Sequence, residues 1–184
     1  IILKKMNQLQ NILFKLRRYF LLKFHKKQWR DKKYLSFDNI SSVALLYYID
    51  DYSKYEIVYK NIKDFTAMGK TVFSVLFVKK GVLAEEKRIN MLVFTQNDCS
   101  WLCVPNDNIM LDALNMSADI LIDISLMDSI PLQYIVANSQ VGCKVAMKKE
   151  NKFLYDLMIE MKEEQVNEDK LLETIAFYLK QIKS

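Results

Sequence analysis

Glycine and proline are scarce. The 184 residues hold two prolines and three glycines, Gly69, Gly81 and Gly142, and neither G-x-G-x-x-G nor G-x-x-x-x-G-K-[ST] occurs. A pyrophosphate cradled by backbone N–H groups needs glycine where the chain comes closest, so neither dinucleotide nor nucleoside-triphosphate binding in that manner, nor a nucleotide cofactor, is expected. Histidine is scarcer still. His25 is the only one, which excludes a multi-histidine metal site and a Ser–His or Cys–His pair within the body of the protein. The three cysteines, Cys99, Cys103 and Cys143, have no C-x-x-C spacing. They read as small core residues of a reducing compartment, and no metal site is expected. No uninterrupted apolar run approaches the length of a membrane span. The apolar residues near the N-terminus are broken by Lys15, Arg17, Arg18 and Lys23, with no small-residue cleavage site after them, unlike a signal peptide. Together these absences make the cytoplasm the expected compartment.

What is present is apolar residues and an uneven charge. Hydrophobic residues make up 51% of the chain, enough for a sizeable core. Residues 1–33 carry eleven Lys or Arg against one acid, Asp31, while the remainder carries sixteen basic and twenty-one acidic residues. The chain therefore divides into a basic arm, residues 1–35, and an acidic body, residues 36–184. Basic arms meet nucleic acid, anionic membrane surfaces or acidic partners.

The arm reads as an amphipathic helix over residues 7–30. Leu9, Ile12, Leu13, Leu16, Phe20 and Phe24 recur at helical spacing, and Phe14, Leu21 and Leu22 widen the stripe. Lys15, Arg17, Arg18, Lys23, Lys26, Lys27, Arg30, Lys32 and Lys33 are the candidate polyanion-binding residues, with Trp29 among them. The plainer alternative is a helix packed on the body with a solvated basic face.

In the body, runs rich in β-branched and aromatic residues predict strands at Val43–Ile49, Thr71–Val78, Met91–Thr95, Asp119–Ile124 and Cys143–Met147, with a sixth within Phe153–Met161. Helical spacing lies between them. Ser53 and Glu56 have the pattern of a capping box, Gly69 of a helix stop, and Asn106 or Asp107 and then Asn167 of helix starts. The resulting class is α/β, a three-layer sandwich with a mostly parallel sheet, either Rossmann-like or flavodoxin-like.

Such sheets bind ligands in the crevice at the carboxyl ends of their strands. Asp50, Asp51, Thr95, Asp98, Asp123, Ser125 and Asp128 are the candidates there. Carboxylates so placed can hold a divalent cation, but they also cap helices and satisfy loop backbone.

Four stretches carry a resemblance: Phe94-Thr95-x-x-Asp98-x-x-Trp101, Asp119-Ile120-Leu121-Ile122-Asp123, Pro131-Leu132-x-Tyr134-Ile135 and Asp156-Leu157-Met158-Ile159. In these the chain resembles an uncharacterised family of small Bacteroidota α/β proteins with a basic N-terminal helix. The resemblance implies no activity. A fainter likeness is to the amino-terminal half of two-domain glycosyltransferases, and on length alone transferase activity is not expected.

The functional expectation is a non-enzymatic cytoplasmic binding module. Its basic helix would dock on RNA, the ribosome or a membrane face, and its body could meet a protein partner. The alternative is a small enzyme or a ligand or metal sensor using the acidic crevice.

Overall fold

The computed structural model describes residues 30–161 apart from Lys87, residues 167–182, and Ile12, Leu13, residues 15–17 and Tyr19. Six strands form one sheet: β1 Ser42–Ile49, β2 Thr71–Val78, β3 Met91–Thr95, β4 Ile120–Asp123, β5 Cys143–Met147 and β6 Leu157–Ile159. Their order is β3-β2-β1-β4-β5-β6, and every neighbouring pair is parallel. This is the strand order of the doubly wound Rossmann fold and not that of flavodoxin. Among the described residues of the body the helices are, in chain order, α1 Lys54–Ala67, α2 Asp107–Leu114, α3 Ile130–Asn138 and α4 Glu168–Gln181.

The near-continuous apolar run of β1 reflects burial on both faces. Val43, Leu45, Tyr47 and Ile49 pack with Tyr55 and Val58 of α1 and Leu171 and Ile175 of α4. Ala44 and Leu46 pack with Ala113 of α2 and Leu132, Ile135 and Val136 of α3. A sheet with helices on both faces has its open ends at the strand termini, so any crevice lies there.

Asn106 and Asn167 cap α2 and α4, accepting from the Ile109 and Lys170 N–H groups. Gly69, at φ +75°, stops α1. Ser53 does not cap α1 as the sequence suggested. It is already helical, and its side chain makes no capping bond. Asp51 acts instead, accepting from the Ser53 N–H at 2.9 Å and the Ser53 hydroxyl at 2.5 Å, because an aspartate can reach the backbone two residues on. The sixth strand is shorter than Phe153–Met161. Lys152–Leu154 form a 3-10 turn that leaves Phe153 exposed and turns Leu154 into the core.

The segment from 34 to 41 is built into the body. Phe37 and Ile40 are buried, and the buried Lys70 ammonium donates to both of their carbonyls, at 2.8 and 2.6 Å. The described arm residues, Ile12, Leu13, 15–17 and Tyr19, are helical; the rest of the helix expected over 7–30 lies outside the described residues.

Candidate functional site

The strand order reverses between β1 and β4, where a Rossmann-like sheet ordinarily takes its ligand. The register spreads the expected site residues apart. Asp123, the last residue of β4, pairs with Leu46 of β1. Asp50 lies four residues beyond that level, roughly 13 Å along the strand. Thr95 of β3 is level with Ile49 of β1 through their shared partner Val78, but it stands two strands away, about 10 Å. The carboxylates do not converge.

Each candidate also has a partner within the protein. Asp50 lies 2.8 Å from the Lys54 ammonium, and Asp51 makes the turn to Ser53. Thr95 and Asp98 close a capping box on each other, with the Thr95 N–H donating to Asp98 at 2.8 Å. Asp128 accepts from Gln133 at 2.8 Å. Asp123 and Ser125 are brought together at the end of β4. The Ser125 N–H donates to Asp123 Oδ1 at 3.0 Å, and the Ser125 hydroxyl donates to the same atom.

That last pair belongs to a buried network that sequence reasoning missed. The Tyr155 hydroxyl donates to Asp123 Oδ2 at 2.6 Å. Burial, followed by the Asp123 charge, pushes the Tyr155 phenol well above its ordinary value. The Lys149 ammonium donates to the carbonyls of Ser125 and Met127 and sits 3.9 Å from Asp123. Asp123, Ser125, Lys149 and Tyr155 are all buried. The network fastens the 124–129 loop over β4 and joins it to the chain leaving β5.

At the reversal point itself, Lys54 bridges Asp50 and the buried Glu168 of α4, the latter at 2.6 Å. Burial opposes its charge, but the two carboxylates outweigh it and hold the Lys54 ammonium above its ordinary pKa. The space remaining between Tyr47, Ile57, Ser125 and Glu168 is about 10 Å³, room for about one water. Side chains of the protein thus occupy the place where a ligand would ordinarily sit.

The basic residues fall into two groups. Arg30 and Lys32 are held by Asp156, whose side chain is 1% exposed. Arg30 reaches the Asp156 carboxylate and also donates to the Val141 and Gly142 carbonyls at 2.8 and 2.9 Å. Lys32 lies 2.9 Å from the same carboxylate, and the Lys144 N–H donates to it as well. Burial raises the Asp156 pKa, but the bonds from Arg30, Lys32 and Lys144 outweigh that and hold it below the ordinary carboxylate value. The strap continues through Lys33, whose N–H donates to the Gly142 carbonyl. Gly142 allows this approach, since a Cβ there would stand 3.2 Å from the Lys33 Cβ. In the second group Lys15 and Lys33 are exposed, whereas the half-buried Arg17 turns to the body and donates to the Trp101 carbonyl at 2.7 Å. Arg18, Lys23, Lys26 and Lys27 lie outside the described residues.

Two lysines within and just after a strand expected to be buried, Lys144 and Lys149, were the available signal for the missed partners. Lys144 donates to the Val136 carbonyl near the end of α3. Burial, aided by Arg30, lowers its pKa to about 8. Burial raises the Cys99 thiol to about 12 and the Cys143 thiol to about 11, so both are protonated near neutrality. Among the described residues no group of three or more His, Cys, Asp or Glu could hold a metal ion, and no helix is long and apolar enough to cross a membrane.

An all-parallel sheet in this order, with helices on both faces, defines a Rossmann-like α/β domain. The chain belongs to a family of unknown function, DUF6913, whose profile matches residues 15–182. The match includes the arm from Lys15 onward together with the body. The comparisons with curated proteins and with solved structures return no match.

Proposed function

We propose that the protein is a non-enzymatic binding module of the cytoplasm, in which the Rossmann-like body is a scaffold and the basic arm docks on an anionic surface, RNA or membrane. The observation that carries this reading is the filled crevice: Lys54, Asp50 and Glu168 occupy the reversal point and leave about 10 Å³. The charge division adds to it, since the arm is strongly basic and the body is acidic. Arg30 and Lys32 are engaged with Asp156, Arg17 with the Trp101 carbonyl and Lys33 with Asp31, so we assign the docking charge to Lys15, Arg18, Lys23, Lys26 and Lys27. The alternative, a small enzyme or sensor working through the strand-end carboxylates, has less support because each candidate carboxylate is engaged within the chain.

The test is the full-length protein with those five residues changed to Gln. Binding is measured to a labelled RNA duplex and to vesicles containing phosphatidylserine, across a salt series. Neutralising about five phosphates gives a slope near −4.5 in log affinity against log salt on duplex RNA treated as B-form DNA is. The quintuple variant should lose most binding to whichever surface the wild type prefers. Unchanged binding overturns the reading. Large thermal stabilisation by a nucleotide or divalent cation would favour the alternative.

A further inference from the structure

We infer that the cavity at the amino edge of the sheet is a binding site for a small primary ammonium group carried on an apolar body. The cavity measures about 340 Å³, within the roughly 300–1,000 Å³ of small-molecule sites. It lies at the opposite edge from the filled crevice, between the strap at 31–35, the loop leaving α2 and the loop leaving α3. Leu35, Leu114, Met116 and Val141 give it apolar walls. The inference goes beyond the docking of the arm and does not depend on it.

Asp119, in the wall just before β4, fixes the chemistry. Its Oδ2 accepts from the Ser41 N–H at 2.8 Å, the Ser42 N–H at 2.9 Å and the Ser42 hydroxyl at 3.1 Å. Burial raises the Asp119 pKa, but these bonds outweigh it and hold the carboxyl below its ordinary value. The side chain is thus fixed and charged. No donor among the described residues reaches its Oδ1, and that oxygen is not sealed from solvent.

The surroundings favour a cation. Asp31 and Lys33 at the rim lie 3.3 Å apart and offset each other. Lys70 acts on Asp119 but is turned to the Phe37 and Ile40 carbonyls. Leu114 ends α2 and Ser139 follows the last residue of α3. Both line the cavity, so the partial negative charge of two helix C-termini falls within reach of it. The buried Ser139 hydroxyl accepts from the Val141 N–H at 3.3 Å and has a second lone pair to offer. A guanidinium pairs best across both oxygens of a carboxylate, and here Oδ2 is taken; an ammonium needs only one.

The experiment titrates the full chain with hexylammonium, followed by saturation-transfer and protein NMR, beside hexanol, hexanoate and hexylguanidinium, which share its alkyl chain. Hexylammonium should bind roughly tenfold more tightly than hexanol or hexanoate, and more tightly than hexylguanidinium. Asp119→Asn keeps an oxygen for Ser41 and Ser42 and places an amide donor where Oδ1 stands. It should weaken amine binding by roughly tenfold to a hundredfold, the size of a hydrogen bond to a charged group. Leu114→Lys, at a residue 42% exposed, sets a competing ammonium in the wall. It should weaken binding as much with an unchanged melting temperature, which keeps the test decisive if Asp119→Asn is unstable. Glu160→Gln removes an exposed carboxylate paired with Lys148 and should bind as wild type does. Absence of amine binding at about 10 mM, equal binding of hexanol, tighter binding of the guanidinium, or wild-type binding by Leu114→Lys overturns the inference. An equal loss in Glu160→Gln overturns it as well.

Discussion

The side chains of Asp123 and Asp156 are both buried at the ends of strands, yet they serve opposite edges of the sheet. Asp123 ends β4 at the carboxyl edge. It is held chiefly by hydrogen bonds from a serine two residues on and a tyrosine 32 residues on, with its nearest cation at 3.9 Å. Asp156 precedes β6 at the amino edge. It is held by two cations of the N-terminal strap, 126 and 124 residues away. The first fastens the 124–129 loop at the carboxyl edge. The second fixes where the arm leaves the body. The contrast teaches that a buried carboxylate here fastens a loop or a segment, and that its partners tell which one.

Removing each carboxylate is the sharpest way to test the contrast. Asp156→Ala leaves the largely buried Arg30 guanidinium without its counter-charge, and such losses cost about 3–5 kcal/mol. Asp123→Ala should cost less, about 2–3 kcal/mol, because Lys149 keeps its carbonyl partners. Chemical denaturation of the two variants measures both, and a larger cost at Asp123 would invert the comparison. The depressed Asp156 pKa also gives a pH signature. Its contribution is present above the ordinary carboxylate range and is lost as acid takes the pH down through the folded value, so the wild type and the Ala variant should converge in acid.

A smaller effect attaches to Lys144, which lies beside the Asp156 cluster. Its folded pKa of about 8 is below its ordinary 10.5. Between those values the unfolded chain holds the extra proton, so stability rises with pH, by at most about 1.4 kcal/mol per unit. Stability measured from pH 7 to 9.5 should climb in the wild type relative to Lys144→Met. Parallel curves would mean that Lys144 is not desolvated as its position implies.

Gly142→Ala should have the smallest effect, about 1 kcal/mol. The added methyl group meets the Lys33 Cβ and backbone N–H at 3.2 and 3.3 Å. The strap must shift by a few tenths of an ångström, and denaturation should show a small loss beside that of Asp156→Ala. A loss as large as that would make backbone contact, not charge, the main fastening of the strap.

Much of the fold was legible in the chain. The strand positions at Val43–Ile49, Thr71–Val78, Met91–Thr95 and Cys143–Met147 follow from β-branched runs that only a sheet covered on both faces can bury. Asn106, Asn167 and Gly69 marked helix ends because caps act over two or three residues. The candidate site was legible only as a set of strand-end residues. Their separation depended on β4 stopping level with Leu46, three residues short of the end of β1, and no local pattern encodes that stagger. Ser53 was misread because Asp51 competes for the same turn from two residues earlier.

By itself the sequence determined the class, α/β with a parallel sheet, and the division of charge between arm and body. Both are properties of composition and short-range periodicity. Only the tertiary structure decided the strand order, the Lys54 bridge that fills the crevice, and the pairing of Arg30 and Lys32 with Asp156. Those contacts join residues more than a hundred positions apart, except Lys54 with Asp50. Such a pairing forms because burial removes water from a charge and leaves another charge as its best partner. Which charge lies within reach is fixed by how the strands stack, not by what stands next to it in the chain.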